Sequence, residues 1–263
     1  MAVNLAGRLT GKVAVVTGTS PNIGGTIASG FAAAGAKVVC NDLRPAVAEA
    51  RAEAIRAAGG EAIAVAGDIT DPALVGELVT LAVQRWDRID VLVNNAVRFN
   101  TKGVLDMPVE EFRQQVDIII GGAFLMTQSV ARSMIERQVH GSIINVLSTA
   151  AWQGQAGNIG YCTAKSGMIN FTRSAAMELA PHGILVNAVA PGPTQVERTA
   201  HGPAQRDAFM RRMAIKRYGN PSDIAAAAAY LASDDAGFVT GHVLNVDGGF
   251  HAAGVLFEAG EKL

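Results

Sequence analysis

Several features that mark specialised classes of protein are scarce in this sequence of 263 residues. Its two cysteines, Cys40 and Cys162, lie too far apart for a metal-binding spacing or a disulfide framework. Basic residues (22) nearly balance acidic ones (23), and like charges form no block, which argues against a nucleic acid or an acidic membrane as partner. The five histidines show no H-x-H or H-E-x-x-H spacing, so we expect no metal site.

The sequence also has little that would direct a chain to a membrane. The N-terminus, M-A-V-N-L-A-G-R-L-T-G-K, has no charged region followed by an apolar one, as a signal peptide would. No apolar run approaches the roughly 20 residues that are needed to span a bilayer. We therefore expect a soluble, cytoplasmic protein.

Apolar residues are plentiful, and they alternate regularly between two kinds of segment. They make up 49% of the chain, and a chain of this length can bury roughly 70–75% of its unfolded surface. Short, near-continuous apolar runs predict buried strands, and longer Ala-rich amphipathic stretches predict helices. The predicted strands are 12–17, 37–42, 61–66, 89–94, 142–146, 184–189 and 242–246. The predicted helices are 23–34, 47–58, 72–86, 122–137, 164–180 and 221–232.

This alternation predicts an α/β fold, with a doubly wound parallel sheet of about seven strands and helices on both faces. No repeat, low-complexity segment or linker interrupts the pattern, so we expect one domain over residues 1–263. Ligands of such sheets lie beyond the carboxyl ends of the strands, and the polar clusters of interest follow strands.

The first predicted strand is followed by a glycine-bearing turn, T-G-T-S-P-N-I-G-G, and then at once by a helix. Backbone N–H groups at such a helix start can bind a pyrophosphate. Gly18 allows the sharp turn and Gly24 allows close packing, while Asn22 stands where a third glycine is usual. Asparagine tolerates the left-handed region better than other side chains, so we expect the turn to survive it. The alternative is a helix cap that happens to contain glycines.

Acidic residues after the next two strands refine this interpretation. Asp42 ends the second strand, where a carboxylate can bind a ribose diol and would repel a 2′-phosphate, which favours NAD over NADP. Arg44 is the counter-argument, because an arginine there could accept that phosphate. Asp68 could accept a hydrogen bond from an adenine amino group, or it could cap the helix that begins near Pro72.

The segment from Ser148 to Lys165 carries the candidate chemistry. Tyr161 and Lys165 lie one helical turn apart, so their side chains face the same way. A cation beside a phenol favours phenolate and lowers a pKa that is normally about 10, giving an acid/base usable near neutral pH. The alternatives are a buried tyrosine, a salt-bridging lysine and a turn serine.

Together these motifs resemble the short-chain dehydrogenase/reductase family along nearly the whole chain. The matching segments are T-G-T-S-P-N-I-G (17–24), D-I-T (68–70), N-N-A (94–96), Ser148, Y-C-T-A-K (161–165), N-A-V-A-P-G (187–192), R-Y-G-N-P-S-D-I-A (217–225) and T-G-H-V-L-N-V-D-G-G (240–249).

The resemblance implies a Rossmann-type fold, a homotetramer, and NAD(P)-dependent hydride exchange between an alcohol and a carbonyl compound. It implies that Tyr161 is the acid/base, that Ser148 holds the substrate oxygen, and that Lys165 lowers the tyrosine pKa and binds the nicotinamide ribose. The positions that would line the cofactor are Gly18, Ser20, Asn22, Ile23, Asp42, Asp68, Ile69, Asn95, Tyr161, Lys165 and Thr194.

Some positions depart from the family pattern. The family commonly carries an asparagine that supports a proton-relaying water where this chain has Ile119, and isoleucine can neither donate nor accept a hydrogen bond. Val97 replaces a glycine, and Val196 replaces a threonine that often helps bind the carboxamide. Two hypotheses follow: an active enzyme that reprotonates Tyr161 by another route, or a catalytically impaired homologue that keeps the nucleotide for a structural or sensing role.

Substrate specificity should come from loops 98–102 and 152–158 and from the long segment 193–220. This last segment is either an amphipathic lid that closes on a partly apolar substrate or a surface helix packed on the body. A reductase of 3-oxoacyl chains on a carrier protein is a rival within the family. It would prefer NADPH, and Asp42 and Pro21 argue against it.

Overall fold

Seven strands form one parallel sheet in the computed structural model, which describes residues 7–196 and 202–252. The strands are β1 (Val13–Thr17), β2 (Lys37–Asp42), β3 (Glu61–Ala66), β4 (Val91–Asn94), β5 (Ser142–Val146), β6 (Leu185–Pro191) and β7 (Val243–Val246). Their order across the sheet is β3-β2-β1-β4-β5-β6-β7, so the winding direction reverses between β1 and β4. The predicted doubly wound fold is confirmed, and ligands are expected at the carboxyl edge beside this reversal.

Helices cover both faces of the sheet. They are α1 (Ile23–Ala33), α2 (Pro45–Ala57), α3 (Pro72–Trp86), α4 (Val109–Val116), α5 (Ala123–Glu136), α6 (Ile159–Leu179), α7 (Pro203–Arg212) and α8 (Pro221–Ala232). On one face, Ile27 and Phe31 of α1 pack with Ala228 of α8. On the other face, Leu78 of α3 packs with Met126 of α5. All residues of β1 and β5 are buried, as near-continuous apolar runs predict for central parallel strands.

The prediction that a helix starts at residue 122 is wrong. A π-helical turn, Asp117–Gly122, joins α4 to α5, so the helical path runs without a break from Val109 to Glu136. Three consecutive isoleucines followed by two glycines have poor helix propensity, which hides this helix from the sequence pattern. Tertiary packing explains the helix instead, because Gly122 lies against Ile69, which a side chain at position 122 would overlap.

By length and composition alone, this helical path over residues 109–136 could cross a membrane, so the expectation of no such segment does not hold for it. Half of its most apolar window is buried inside the protein, where Met126, Val130 and Met134 belong to the core between the sheet and α3. That burial is typical of the core helix of a globular fold.

The start of the predicted helix 164–180 is also wrong, because α6 begins five residues earlier, at Ile159. Gly157 has a φ of 79° and ends the preceding loop, and the helix starts directly after Asn158. Tyr161 therefore lies in the first turn of α6, at the carboxyl edge of the sheet.

Candidate functional site

The glycine turn after β1 is shaped by two glycines that no other residue could replace without strain. Gly18 has a φ of 68°, in the left-handed region that favours glycine. Gly24, in the first turn of α1, lies so close to the turn that a Cβ atom there would overlap Gly18 O and Asn95 Nδ2. The first turn of α1 holds no acidic residue and Asn22 makes no side-chain cap, so no carboxylate opposes an anion at this helix start.

Asn95 fixes this turn from the neighbouring strand. Its Nδ2 donates to Thr17 O at 3.0 Å and to Gly18 O at 2.8 Å, and its backbone N donates to Thr17 Oγ1 at 3.0 Å. The sequence predicted that Asn95 lines the cofactor. The structure places its amide against the turn, where it holds the carboxyl ends of β1 and β4 together.

Asn22 does not adopt the left-handed conformation that its place in the sequence predicts. Its φ is −130°, because the left-handed residue of the turn is Gly18. Its backbone N donates to Ser20 O at 2.6 Å, and Gly25 N donates to the same oxygen at 3.0 Å. Within the described residues the buried Asn22 Oδ1 has no hydrogen-bond partner.

Asp42 and Arg44, which point to opposite cofactors, contact each other. Asp42 is buried at the end of β2, and its Oδ1 accepts from Arg44 N at 3.2 Å and from Arg44 Nε at 3.4 Å. The Arg44 side chain is 66% exposed. A buried carboxylate is thus fixed at the end of β2, and the arginine beside it reaches solvent.

Two other predicted cofactor residues have local structural contacts. Asp68 Oδ1 accepts from Thr70 N at 2.9 Å and from Thr70 Oγ1 at 2.8 Å. The alternative role of Asp68 as a helix cap is wrong, because Asp71 caps α3 by accepting from Ala73 N. The Ile69 side chain is buried in the core, so any cofactor contact of this residue would come from its backbone.

The remaining predicted cofactor residues lie around the same edge. Ile23 is the first residue of α1 and packs partly on the core below the turn, and Ser20 lies within the turn. Thr194 follows β6, donates to Gly192 O at 2.9 Å and pairs with Gly219 in a parallel bridge.

The carboxyl edge therefore fits a dinucleotide on grounds of shape and charge. Gly18 and Gly24 let the turn close tightly on the start of α1, that start carries no acidic residue, and a carboxylate ends β2. Residues Gly18, Ser20, Asn22 and Ile23 could hold a pyrophosphate, and Asp42 could hold a ribose.

Ser148, two residues beyond β5, starts a short 3₁₀ helix, Thr149–Ala151. Its backbone is extended, with a φ of −168°, and its Oγ accepts from Ala150 N at 3.2 Å. Because the hydroxyl oxygen acts as the acceptor in this bond, the hydroxyl hydrogen is left to be donated to another group.

Lys165 lies one turn after Tyr161 on α6 and is buried, with 4% of its surface exposed. Its Nζ donates to Val146 O at 2.5 Å and lies 5.7 Å from the centre of the Tyr161 ring. Burial lowers the pKa of Lys165 to about 8, because removal from water disfavours the ammonium form. The predicted pairing of phenol and lysine is thus present at the end of β5.

Aromatic side chains surround the approach to Tyr161. The ring of Phe99, from the loop after β4, meets the Tyr161 ring edge-on at 5.3 Å. Trp152, after the 3₁₀ helix, stacks on His251 with ring centres 4.5 Å apart. Val97, which replaces the glycine of the family pattern, is 42% exposed.

Helix α7 lies in the segment predicted to be a lid or a packed surface helix. Phe209 contacts Tyr218 and Phe250 at ring distances of 6.4 and 5.8 Å, and the Arg212 guanidinium lies 4.5 Å from the Phe250 ring. These contacts agree with the packed helix. Residues 197–201 of the predicted segment 193–220 lie outside the described residues, whereas Val196 is described and half-buried.

Position 119 is apolar and buried. Ile119 is 3% exposed and packs with Leu147, Ala151 and Ala164. Sequence reasoning missed Gln115, one turn earlier on α4, which is fully buried. No motif contains Gln115, and only its burial distinguishes it from the exposed or half-buried polar residues of α4. Among residues 7–196 and 202–252 no cluster of His, Cys, Asp or Glu could hold a metal ion.

Comparisons with known proteins cover almost the whole chain. A family model described as enoyl-(acyl carrier protein) reductase matches residues 18–251. The 3-oxoacyl-[acyl-carrier-protein] reductase of Synechocystis sp. is 40% identical over 243 residues, covering 92% of this chain and 97% of that protein. Galactitol 2-dehydrogenase of Agrobacterium fabrum is 37% identical over 254 residues, covering 92% and 98%. The crystal structure of a short-chain type dehydrogenase/reductase from Mycobacterium marinum matches with a TM-score of 0.87 and 32% identity, covering 92% and 96%.

Proposed function

Because this chain belongs to the short-chain dehydrogenase/reductase family of oxidoreductases, we propose that it transfers a hydride between nicotinamide and a secondary alcohol or ketone. The observation that carries this proposal is the group formed by Ser148, Tyr161 and Lys165 beside the end of β5. When bound, the nicotinamide coenzyme supplies or accepts the hydride.

Each of the three residues has a different role in the proposed reaction at the substrate oxygen. In the reducing direction negative charge grows on that oxygen, and the Tyr161 hydroxyl donates a proton to it while the Ser148 hydroxyl donates a hydrogen bond. Lys165 favours the phenolate form of Tyr161 through its charge. Its burial keeps that charge close to the ring, with only Val146 O as its hydrogen-bond acceptor among the described residues.

The coenzyme we propose is NAD, with NADP the less favoured alternative. The support is Asp42, a buried carboxylate at the position of a ribose diol, whose charge opposes a 2′-phosphate. Arg44 keeps NADP in consideration, because its exposed guanidinium could move from Asp42 to a phosphate.

A second candidate function is the reduction of 3-oxoacyl chains on a carrier protein. The name of the Synechocystis relative favours it, whereas Asp42 and Pro21 oppose the NADPH that such an enzyme would prefer. A third is nucleotide binding without turnover, which the buried hydrocarbon of Ile119 favours. The intact group of Ser148, Tyr161 and Lys165 favours an active enzyme over this third function.

The assembly and location are also proposals. We propose a homotetramer in the cytoplasm, formed through α5 and α6 and the C-terminal tail. Exposed apolar side chains on those helices support this interface: Phe124 and Ile135 on α5, and Met177 on α6. Of the tail, residues 253–263 lie outside the described residues.

The deciding experiment measures NADH and NADPH oxidation by the purified protein across a panel of ketones that includes a 3-oxoacyl thioester. We expect turnover with NADH, and we expect Tyr161→Phe to lower kcat by about 10²–10⁴-fold, the usual contribution of general acid catalysis. Coenzyme binding, measured by fluorescence, should persist in this variant. Tight NADH binding with no turnover on any substrate would favour the nucleotide-binding homologue.

A further inference from the structure

Gln115 on α4 has a buried side-chain amide for which the protein supplies no partner. The residue is fully buried, and within residues 7–196 and 202–252 neither its Oε1 nor its Nε2 forms a hydrogen bond. A buried amide without hydrogen bonds is strongly disfavoured, so such groups in folded proteins are normally satisfied by the protein or by an ordered water. One acceptor and one donor side by side can both hydrogen-bond to the same water.

The position of this amide connects it with the catalytic helix. Its oxygen lies over Gly160, the second residue of α6, where a Cβ atom would overlap it. Gly160 is directly followed by Tyr161. Asn158 makes no side-chain cap at the start of α6, and the amide oxygen beside Gly160 lies at the positive end of this helix.

Polar groups continue from Gln115 towards the surface along α4. Glu111, one turn earlier, accepts from Lys102 Nζ at 2.6 Å and from Asn100 Nδ2 at 2.7 Å. The Asn100 Oδ1 atom is buried and has no partner among the described residues. In the opposite direction, Ile119 contributes only hydrocarbon. The polar strip therefore runs from the surface pair Lys102–Glu111 to Gln115 and ends there.

We propose that the Gln115 amide binds an ordered water at the start of α6 and positions it for proton exchange with Tyr161. This inference rests on the proposed function, in which Tyr161 gives its proton to the substrate oxygen and must regain one. A single proton then moves from solvent, past Glu111 and the bound water, to the phenolate. Gln115 keeps its own protonation state throughout and acts as a positioning residue.

The first test is a high-resolution crystal structure of the wild-type protein, which requires no activity. We expect a water within hydrogen-bond distance of Gln115 Oε1 and Nε2. If the site is dry in well-ordered density, or if a protein group satisfies the amide, the proposal is overturned.

The second test compares Gln115→Leu with the control Gln114→Leu, since Gln114 is the half-buried neighbour on the same helix. We expect Gln115→Leu to lower kcat about tenfold with little change in KM, to raise the solvent isotope effect, and to be rescued by added imidazole as a proton donor. Gln115→Met is a second variant of similar size, in case the leucine disturbs folding. Gln114→Leu should show none of these changes.

Loss of activity without imidazole rescue and without a change in the isotope effect would reduce Gln115 to a structural role and overturn the proposal. The proposed function fails separately, because it is overturned when Tyr161→Phe retains full kcat. The two failures are therefore distinguishable.

Discussion

Around the glycine turn the polar contacts are made by backbone groups and one asparagine amide, whereas around Tyr161 they depend on long side chains that the fold buries. Gly18, Gly24 and Asn95 are held within hydrogen-bond or van der Waals contact of one another. Lys165 and Gln115, in contrast, are polar groups removed from water with few partners or none among the described residues. The difference teaches that the structure of the glycine turn depends on close packing of small residues, whereas the arrangement around Tyr161 depends on the burial of polar side chains.

The largest effect that we expect is a pH dependence of the free energy of unfolding that arises from buried Lys165, and it tests the role of burial around Tyr161. Burial lowers the pKa of Lys165 from 10.5 to about 8, so between these pH values the unfolded chain holds a proton that the folded protein lacks. The free energy of unfolding should therefore rise with pH across this window, by on the order of 3 kcal/mol from this residue. Urea unfolding of the wild type and Lys165→Met from pH 7.5 to 10.5 measures the contribution.

The free energy of unfolding of the wild type should rise with pH relative to that of Lys165→Met, and the exposed-lysine control Lys216→Met should not show this change. If the difference in free energy of unfolding between the wild type and Lys165→Met stays constant across this pH window, burial does not lower the pKa of Lys165.

A second prediction tests the dependence of the glycine turn on shape. Gly24→Ala should lower the free energy of unfolding by about 1–3 kcal/mol, because its methyl group overlaps Gly18 O and Asn95 Nδ2. The matched control is Gly76→Ala in α3, where no atom lies within 4 Å of the added methyl group. It should raise stability by about 0.5–1 kcal/mol, since alanine is the better helix former. Equal effects of the two substitutions, measured by thermal or urea unfolding, would refute the role of close packing at Gly24.

The smallest expected effect concerns the coenzyme. Asp42→Ala should tighten the binding of NADPH relative to NADH by about tenfold, which is 1.4 kcal/mol, by removing a charge that opposes the 2′-phosphate. Dissociation constants for both coenzymes, from fluorescence titration, give the ratio. Arg44→Gln is the companion variant and should shift the ratio the other way. An unchanged ratio in Asp42→Ala would mean that this carboxylate does not contact the ribose.

The sheet could be predicted closely from the sequence, because its strands are buried on both faces and appear as apolar runs bounded by turns. The helix through Asp117–Gly122 could not, because isoleucines and glycines there contradict helix propensity and tertiary packing overrides it. The start of α6 was missed for a related reason, since Gly160 in its first turn weakens the helical pattern while leaving room for Gln115.

In the site, residues within motifs could be assigned and residues outside them could not. Tyr161 and Lys165 follow a spacing that helical geometry brings together, the family resemblance adds Ser148, and Gly18 marks the sharp turn. The conformation of Asn22 was predicted wrongly, because only the structure shows that one left-handed residue is enough for the turn. The residues around Gln115 in the sequence do not predict its burial, because the burial of a single polar side chain on a short helix depends on how α4 packs against α6.

The hydrogen bonds of Asn95 also determine which part of the loop after β4 can move. Its amide is fastened to Thr17 and Gly18, and its backbone N to Thr17, so the chain leaves β4 from a fixed point. Phe99, which lies against the Tyr161 ring, comes only four residues later. The Phe99 ring beside Tyr161 is therefore tethered to the glycine turn after β1 by a short length of chain. Any displacement of the Phe99 ring must be taken up by the few backbone torsions between Asn95 and Phe99.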